Sequence, residues 1–129
     1  MDQNPDALSD GVSARVPDWS RERSRRFWDP GPKLLRTMRR YQAARARGSA
    51  AGRLAARYWA LMHRIWSALT QCDIPLGTQI EGGLILPHPN GIVIHPDARI
   101  GPNCLIFHQV TLAGPVVLGG HVDIGAGAK

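Results

Sequence analysis

The sequence predicts an α+β chain in which N-terminal α-helices lead into an all-β solenoid, a parallel β-helix built from six-residue repeats. Three observations predict it. Apolar residues step at helical spacing between residues 50 and 70. Aliphatic residues recur every six positions from Ile74 onward. Small or β-branched residues recur in the same period at Ala98, Cys104, Val110, Val116, Val122 and Ala128. A strand with one wet face shows period two and a helix 3.6, so a sustained period of six belongs to neither. It fits a stack of short strands in which each repeat supplies one flat side and one corner.

Residues 1–32 hold four prolines, many charges and no sustained apolar period. This composition predicts a disordered or loosely docked segment. Trp19, Phe27 and Trp28 are its candidates for docking. Residues 33–71 form a helical region. The first helix runs over 33–47 with Leu34, Leu35, Met38 and Tyr41 on a narrow apolar face, and Gly48-Ser49 stops it. The second runs over 50–70. Leu54, Tyr58, Leu61, Ile65 and Leu69 make one apolar stripe, widened by Trp59, Met62 and Trp66. Pro75 prevents its continuation.

Residues 72–129 carry the repeats. Ile74, Ile80, Leu86 and Ile92 form one frame. Ile94, Ile100, Ile106, Leu112, Leu118 and Ile124 form a second, shifted by two. Each aliphatic side chain points into the stack, and the small residue fills a corner. Gly101, Gly119 and Gly125 supply the backbone freedom expected of corners. Three sides close a tier of about 18 residues, and tiers stack at about 4.8 Å. The slip between Ile92 and Ile94 breaks the wall just after His88-Pro89-Asn90-Gly91, and such an interruption is a usual place for a site.

Charge is divided unevenly. Residues 1–71 hold 14 Lys/Arg against 6 Asp/Glu, whereas 72–129 hold 2 against 4. The basic stretch 33–64 lacks any recognised nucleic-acid motif, so neither nucleic acid nor membrane is expected as a partner. No apolar run suggests a signal or a span, and a cytoplasmic protein is the simplest expectation. Cys72 and Cys104 read as free buried thiols. They have no metal-ligand spacing, so no metal is expected. His95 reads as a turn residue, His108 as a wall residue packed at an interface, with lining of the groove as the alternative, and His63 as a surface or docking residue.

The segments Asp73-Ile74-Pro75, Leu86-Pro87-His88-Pro89-Asn90-Gly91-Ile92-Val93-Ile94, Gln109-Val110-Thr111-Leu112-Ala113-Gly114 and Ile124-Gly125-Ala126-Gly127-Ala128-Lys129 together resemble the serine O-acetyltransferase family of hexapeptide acyltransferases. The resemblance implies a left-handed β-helix and a homotrimer, possibly paired into a dimer of trimers, with its site between subunits. It implies acetyl-CoA as cosubstrate and serine as acceptor, in cysteine biosynthesis. By position, His88 is then the general base and Asp73 its support. Ala113, Gly114, Ala126 and Lys129 match stretches that contact CoA. The chemistry is coherent: imidazole titrates near neutrality and can take a hydroxyl proton, and a carboxylate on its other nitrogen fixes the tautomer.

Three departures accompany the likeness. Pro87 stands where serine-specific members carry an Asp. Gly114 is followed at once by Pro115-Val116-Val117, without the family's histidine-bearing loop. The family also continues for about two more tiers beyond the position of Lys129, so the chain reads as C-terminally truncated relative to it. A sugar hydroxyl as acceptor, or an inactive trimeric scaffold, are the alternative expectations.

Overall fold

The computed structural model describes residues 11–129. Two helices come first, α1 (Pro30–Ala46) and α2 (Ala50–Thr70). Both match the spans expected from the sequence to within three residues. Pro30 opens α1, where a missing N–H costs nothing. Ser49 caps α2 by accepting a hydrogen bond from the Gly52 N–H at 3.0 Å. Gln71 ends α2 in the left-handed conformation, φ 54°.

Seven two-residue strands follow: β1 (Gln79–Ile80), β2 (Val93–Ile94), β3 (Arg99–Ile100), β4 (Leu105–Ile106), β5 (Thr111–Leu112), β6 (Val117–Leu118) and β7 (Asp123–Ile124). They pair in parallel in three small sheets, ordered β1-β3-β6, β2-β5 and β4-β7. From β2 onward every third strand returns to the same sheet, whereas β1 pairs with β3 because the face between β1 and β2 is marked only by the isolated bridge of Ile85 with Leu105. This arrangement is consistent with a partial β-helix behind a helical region. No barrel closes.

The register locates the irregularity. Gln79 pairs with Arg99, Asp73 with Val93 and Ile85 with Leu105, each a step of twenty. From Val93 onward the step is eighteen: Val93 pairs with Thr111, Arg99 with Val117 and Leu105 with Asp123. The first tier therefore holds two extra residues. They lie between Ile85 and Val93, in the corner that contains His88, and not between Ile92 and Ile94. Ile92 is consequently not a member of the Ile74–Ile80–Leu86 series. Its carbonyl accepts from Asp73 N–H at 2.7 Å, as that of Val110 accepts from Val93 N–H at 2.9 Å. Ile92 thus takes the corner position shared with Ala98, Cys104 and Val110, all buried.

The glycines also act differently from expectation. Gly101, Gly119 and Gly125 do not have positive φ. The left-handed corner residues are Gln71, Gly83, Gly91, Asn103, Gln109, His121 and Gly127. Gly101 is needed for another reason: a Cβ there would lie 2.7 Å from the Gly119 carbonyl in the next tier.

The core runs along the stack axis through Ile74, Ile80, Leu86, Ile94, Ile100 and Ile106, and continues to Leu34, Leu35 and Met38 of α1. α1 thus covers one end of the stack. Leu112, Leu118 and Ile124 pack against this core but are only partly buried. Cys72 and Cys104 are both buried and free, and burial pushes the Cys104 thiol above its usual range.

α2 reverses the expected polarity of an amphipathic helix. Its buried residues are Gly52, Ala56, His63 and Thr70. Leu54, Tyr58, Leu61, Ile65 and Leu69, the apolar stripe, are all exposed, Leu54 to 70%. The small face lets α2 approach α1 closely, since a Cβ at Gly52 would meet the Ala44 carbonyl at 2.7 Å. His63 is buried, not at the surface. Its Nδ1 lies 3.1 Å from Thr37 Oγ1 and its Nε2 lies 2.9 Å from the Ile74 carbonyl, so one ring ties both helices to the first tier.

Residues 11–29 lie along the strands, more firmly than their composition suggests. Asn103 Oδ1 accepts from Asp18 N–H at 2.7 Å, and its Nδ2 donates to the carbonyls of Ser13 and Val16. Arg21 donates to the Gly83 and Asn103 carbonyls. Glu22 pairs with Arg39 at 2.8 Å and accepts from Gly83 N–H. Trp19 packs on Gly82, where a Cβ would meet the ring. Trp28 lies 5.3 Å from Trp66, while Phe27 is 98% exposed.

Candidate functional site

His88 sits in the lengthened corner between Ile85 and Val93, and it is exposed. The corner is braced by polar contacts between tiers. Gln109 N–H donates to the Asn90 carbonyl at 2.8 Å, and Gln109 Nε2 donates to Asn90 Oδ1 at 2.7 Å. Gly91 has φ 63°, and a Cβ there would collide with the Gln109 side chain. A residue other than glycine would be strained and would disturb this brace. The two added residues therefore form an ordered projection of the wall.

His108 lies one twenty-residue step beyond His88 on the same corner. The ring centroids are 6.1 Å apart at 71°. His108 thus faces the candidate base, a closer association than a plain wall position suggests. The next tier continues the column, since the His108 carbonyl accepts from Gly127 N–H at 3.1 Å. Ala126 and Lys129, both exposed, flank this contact.

Asp73 begins the neighbouring face. Its backbone pairs with Ile92 and Ile94, and its side chain is exposed. Among the described residues, no hydrogen bond or ion pair joins it to His88. Ala113 and Gly114 stand at the far end of that face, just after β5, where the Gly114 carbonyl accepts from Val116 N–H at 2.7 Å. The structure therefore gathers His88, His108, Ala126 and Lys129 about one corner column and places Ala113 and Gly114 across the face from them. His95 is a turn residue: its Nδ1 accepts from Asp97 N–H at 3.1 Å.

One cleft of 310 Å³ opens on His88. It is lined by Leu84, Ile85, Leu86 and Pro87 on the strand side and by Arg21, Arg23, Arg25, Arg26 and Asp29 on the other. Sequence reasoning missed this basic wall, because nothing in the order of residues 1–32 says that they return to the corner sixty positions later. A larger cleft of 770 Å³, between Tyr41 and Arg45 of α1 and residues 76–81, contains neither His88 nor Asp73. Its one carboxylate is that of Glu81, and no histidine lines it. Among the described residues, no cluster of three or more His, Cys, Asp and Glu gathers, and no helix is long and apolar enough to cross a membrane.

The chain is similar in sequence to several curated serine acetyltransferases. The chain is 40% identical over 85 residues to the serine acetyltransferase of Mycobacterium tuberculosis, covering 60% of this chain and 36% of that one. It is 38% identical over 69 residues to the serine acetyltransferase of Helicobacter pylori, covering 47% and 40%. It is 34% identical over 77 residues to that of Synechococcus elongatus, covering 54% and 32%. Over about half of its length, the chain is similar to serine acetyltransferases. It spans between about a third and two fifths of the length of these curated serine acetyltransferases. No family model matches the chain, and no solved structure matches it significantly.

Proposed function

We propose that this chain is an O-acetyltransferase that moves an acetyl group from acetyl-CoA to a hydroxyl, with serine as the acceptor. The observation that carries the reading is an exposed imidazole, His88, held in an ordered two-residue expansion of the wall and opening on a cleft of 310 Å³. Likeness to curated serine acetyltransferases supports the choice of acceptor.

A hydroxyl is a poor nucleophile towards a thioester. His88 accepts its proton as the oxygen attacks the acetyl carbonyl. The tetrahedral adduct collapses, the C–S bond breaks, and the CoA thiolate leaves and takes up the proton. Asp73 is assigned to orient the imidazole and to stabilise its charged form. Ala113, Gly114, Ala126 and Lys129 are assigned to the CoA side, where small residues permit close approach of the cosubstrate and Lys129 offers it a positive charge.

The strands continue this proposal as a left-handed β-helix. Assembly as a homotrimer, with the exposed stripe of α2 available to pair trimers, is supported by the large apolar surface that α2 leaves uncovered.

Thiol release on mixing the chain with acetyl-CoA and L-serine tests the activity. His88→Ala is expected to lower kcat by about 10²–10⁴, the usual worth of general base catalysis. A His88→Ala protein as active as the wild type would remove the assignment.

A further inference from the structure

We propose that the cleft beside His88 recognises an anionic group on the hydroxyl acceptor, a carboxylate or a phosphate, through Arg23, Arg25 and Arg26. The proposal deepens the acetyl-transfer reading and rests on it for the role of His88. Its physical basis is separate.

Four guanidinium groups and one carboxylate line this cleft. Arg21 is already committed to the carbonyls of Gly83 and Asn103. Asp29 accepts from the backbone N–H of Arg25 at 2.9 Å. Among the described residues the ion pair within 4.0 Å is Arg39–Glu22, outside the cleft. Arg23, Arg25 and Arg26 therefore bring three like charges to one wall with no ion-paired carboxylate. Such a concentration of one sign raises the local density of anions and stabilises one bound there. Each head is a planar fork of donors that matches the two oxygens of a carboxylate or phosphate.

The segment is not free to swing away. Asp18, Arg21 and Glu22 fasten it to Gly83 and Asn103 on one side, and α1 begins at Pro30 on the other. The arginines are thus presented to the corner by anchors at both ends. The volume sets the size of guest. At about 30 Å³ per water in the liquid, 310 Å³ holds roughly ten water-sized groups. That suits an amino acid or a small hydroxy acid.

Titration calorimetry on the full chain without acetyl-CoA tests the inference, with L-serine, serinamide and inorganic phosphate as probes. L-serine is expected to bind at least about tenfold more tightly than serinamide, which lacks the carboxylate. Arg23→Gln/Arg25→Gln/Arg26→Gln, checked for native circular dichroism, is expected to abolish that difference. The corresponding triple Lys variant keeps the charge but not the fork, and is expected to retain part of it. Phosphate binding more tightly than serine, and lost in the Gln variant, would identify a phosphorylated acceptor. Equal binding of serine and serinamide together with no binding of phosphate overturns the proposal. So does a Gln variant that leaves the affinities unchanged, or one that raises only the KM for acetyl-CoA. Absence of thiol release with every acceptor, alongside arginine-dependent anion binding, would remove the acetyl-transfer reading and leave the anion site standing.

Discussion

At the scale of single residues, His63 shows how much one ring can join. Its neutral form donates from Nε2 to the Ile74 carbonyl and accepts at Nδ1 from Thr37. Thr37 Oγ1 also lies 2.6 Å from the Leu34 carbonyl, so its one hydrogen is contested. Burial holds the His63 imidazole below the usual histidine value of 6.5, against the opposing influence of the Ile74 carbonyl and the Asp73 charge. The unfolded chain then binds the proton more readily than the folded one, so stability is full above pH 6.5 and falls as the pH drops below it. Denaturant midpoints between pH 8 and pH 5 are expected to show this decline, and His63→Gln to flatten it. Thr78 offers a contrast. It is fully buried in a corner and its Oγ1 has no hydrogen-bond partner among the described residues. Thr78→Val keeps the shape and removes the unsatisfied hydroxyl, and should raise stability by about 1 kcal/mol in urea unfolding. Neither role was legible in the sequence. His63 stands in a basic helical stretch that reads as surface, and its partners lie 26 and 11 residues away.

At the scale of elements, the period of six and the two helical spans were legible because each reflects a local repeat of side-chain direction. Which face of α2 turns inward was not. Five large apolar residues at helical spacing ordinarily mark the core side, yet here Gly52 and Ala56 face α1 because close helix contact needs small residues. The stripe is left for another surface. Leu61→Gln/Ile65→Gln on this face should change unfolding free energy little, while lowering any concentration-dependent rise in sedimentation coefficient. The position of the register slip was likewise half legible. The two frames were plain, but Ile92 is aliphatic and fits either series by type alone. Only the pairing of Ile85 with Leu105 and of Val93 with Thr111 moves the expansion back to His88.

At the scale of the whole molecule, the proposed trimer predicts a sedimenting mass about three times 14.1 kDa, and a single-chain mass would remove it. The layout of this corner explains why His88 stood out in the sequence and the groups around it did not. His88 sits in a short contiguous motif. The basic wall beside it comes from residues 21–29 and reaches the corner only after α1, α2 and the first tier have been built. The steady step of eighteen after Val93 has one more consequence. Each tier touches only those directly above and below it. The column through Ile94, Ile100 and Ile106 therefore works as a modular spine, to which a further rung can be joined beyond β7 without altering the neighbours of the imidazole. Reach along the axis and the packing around His88 can then vary independently, like the height of a ladder and the footing it stands on.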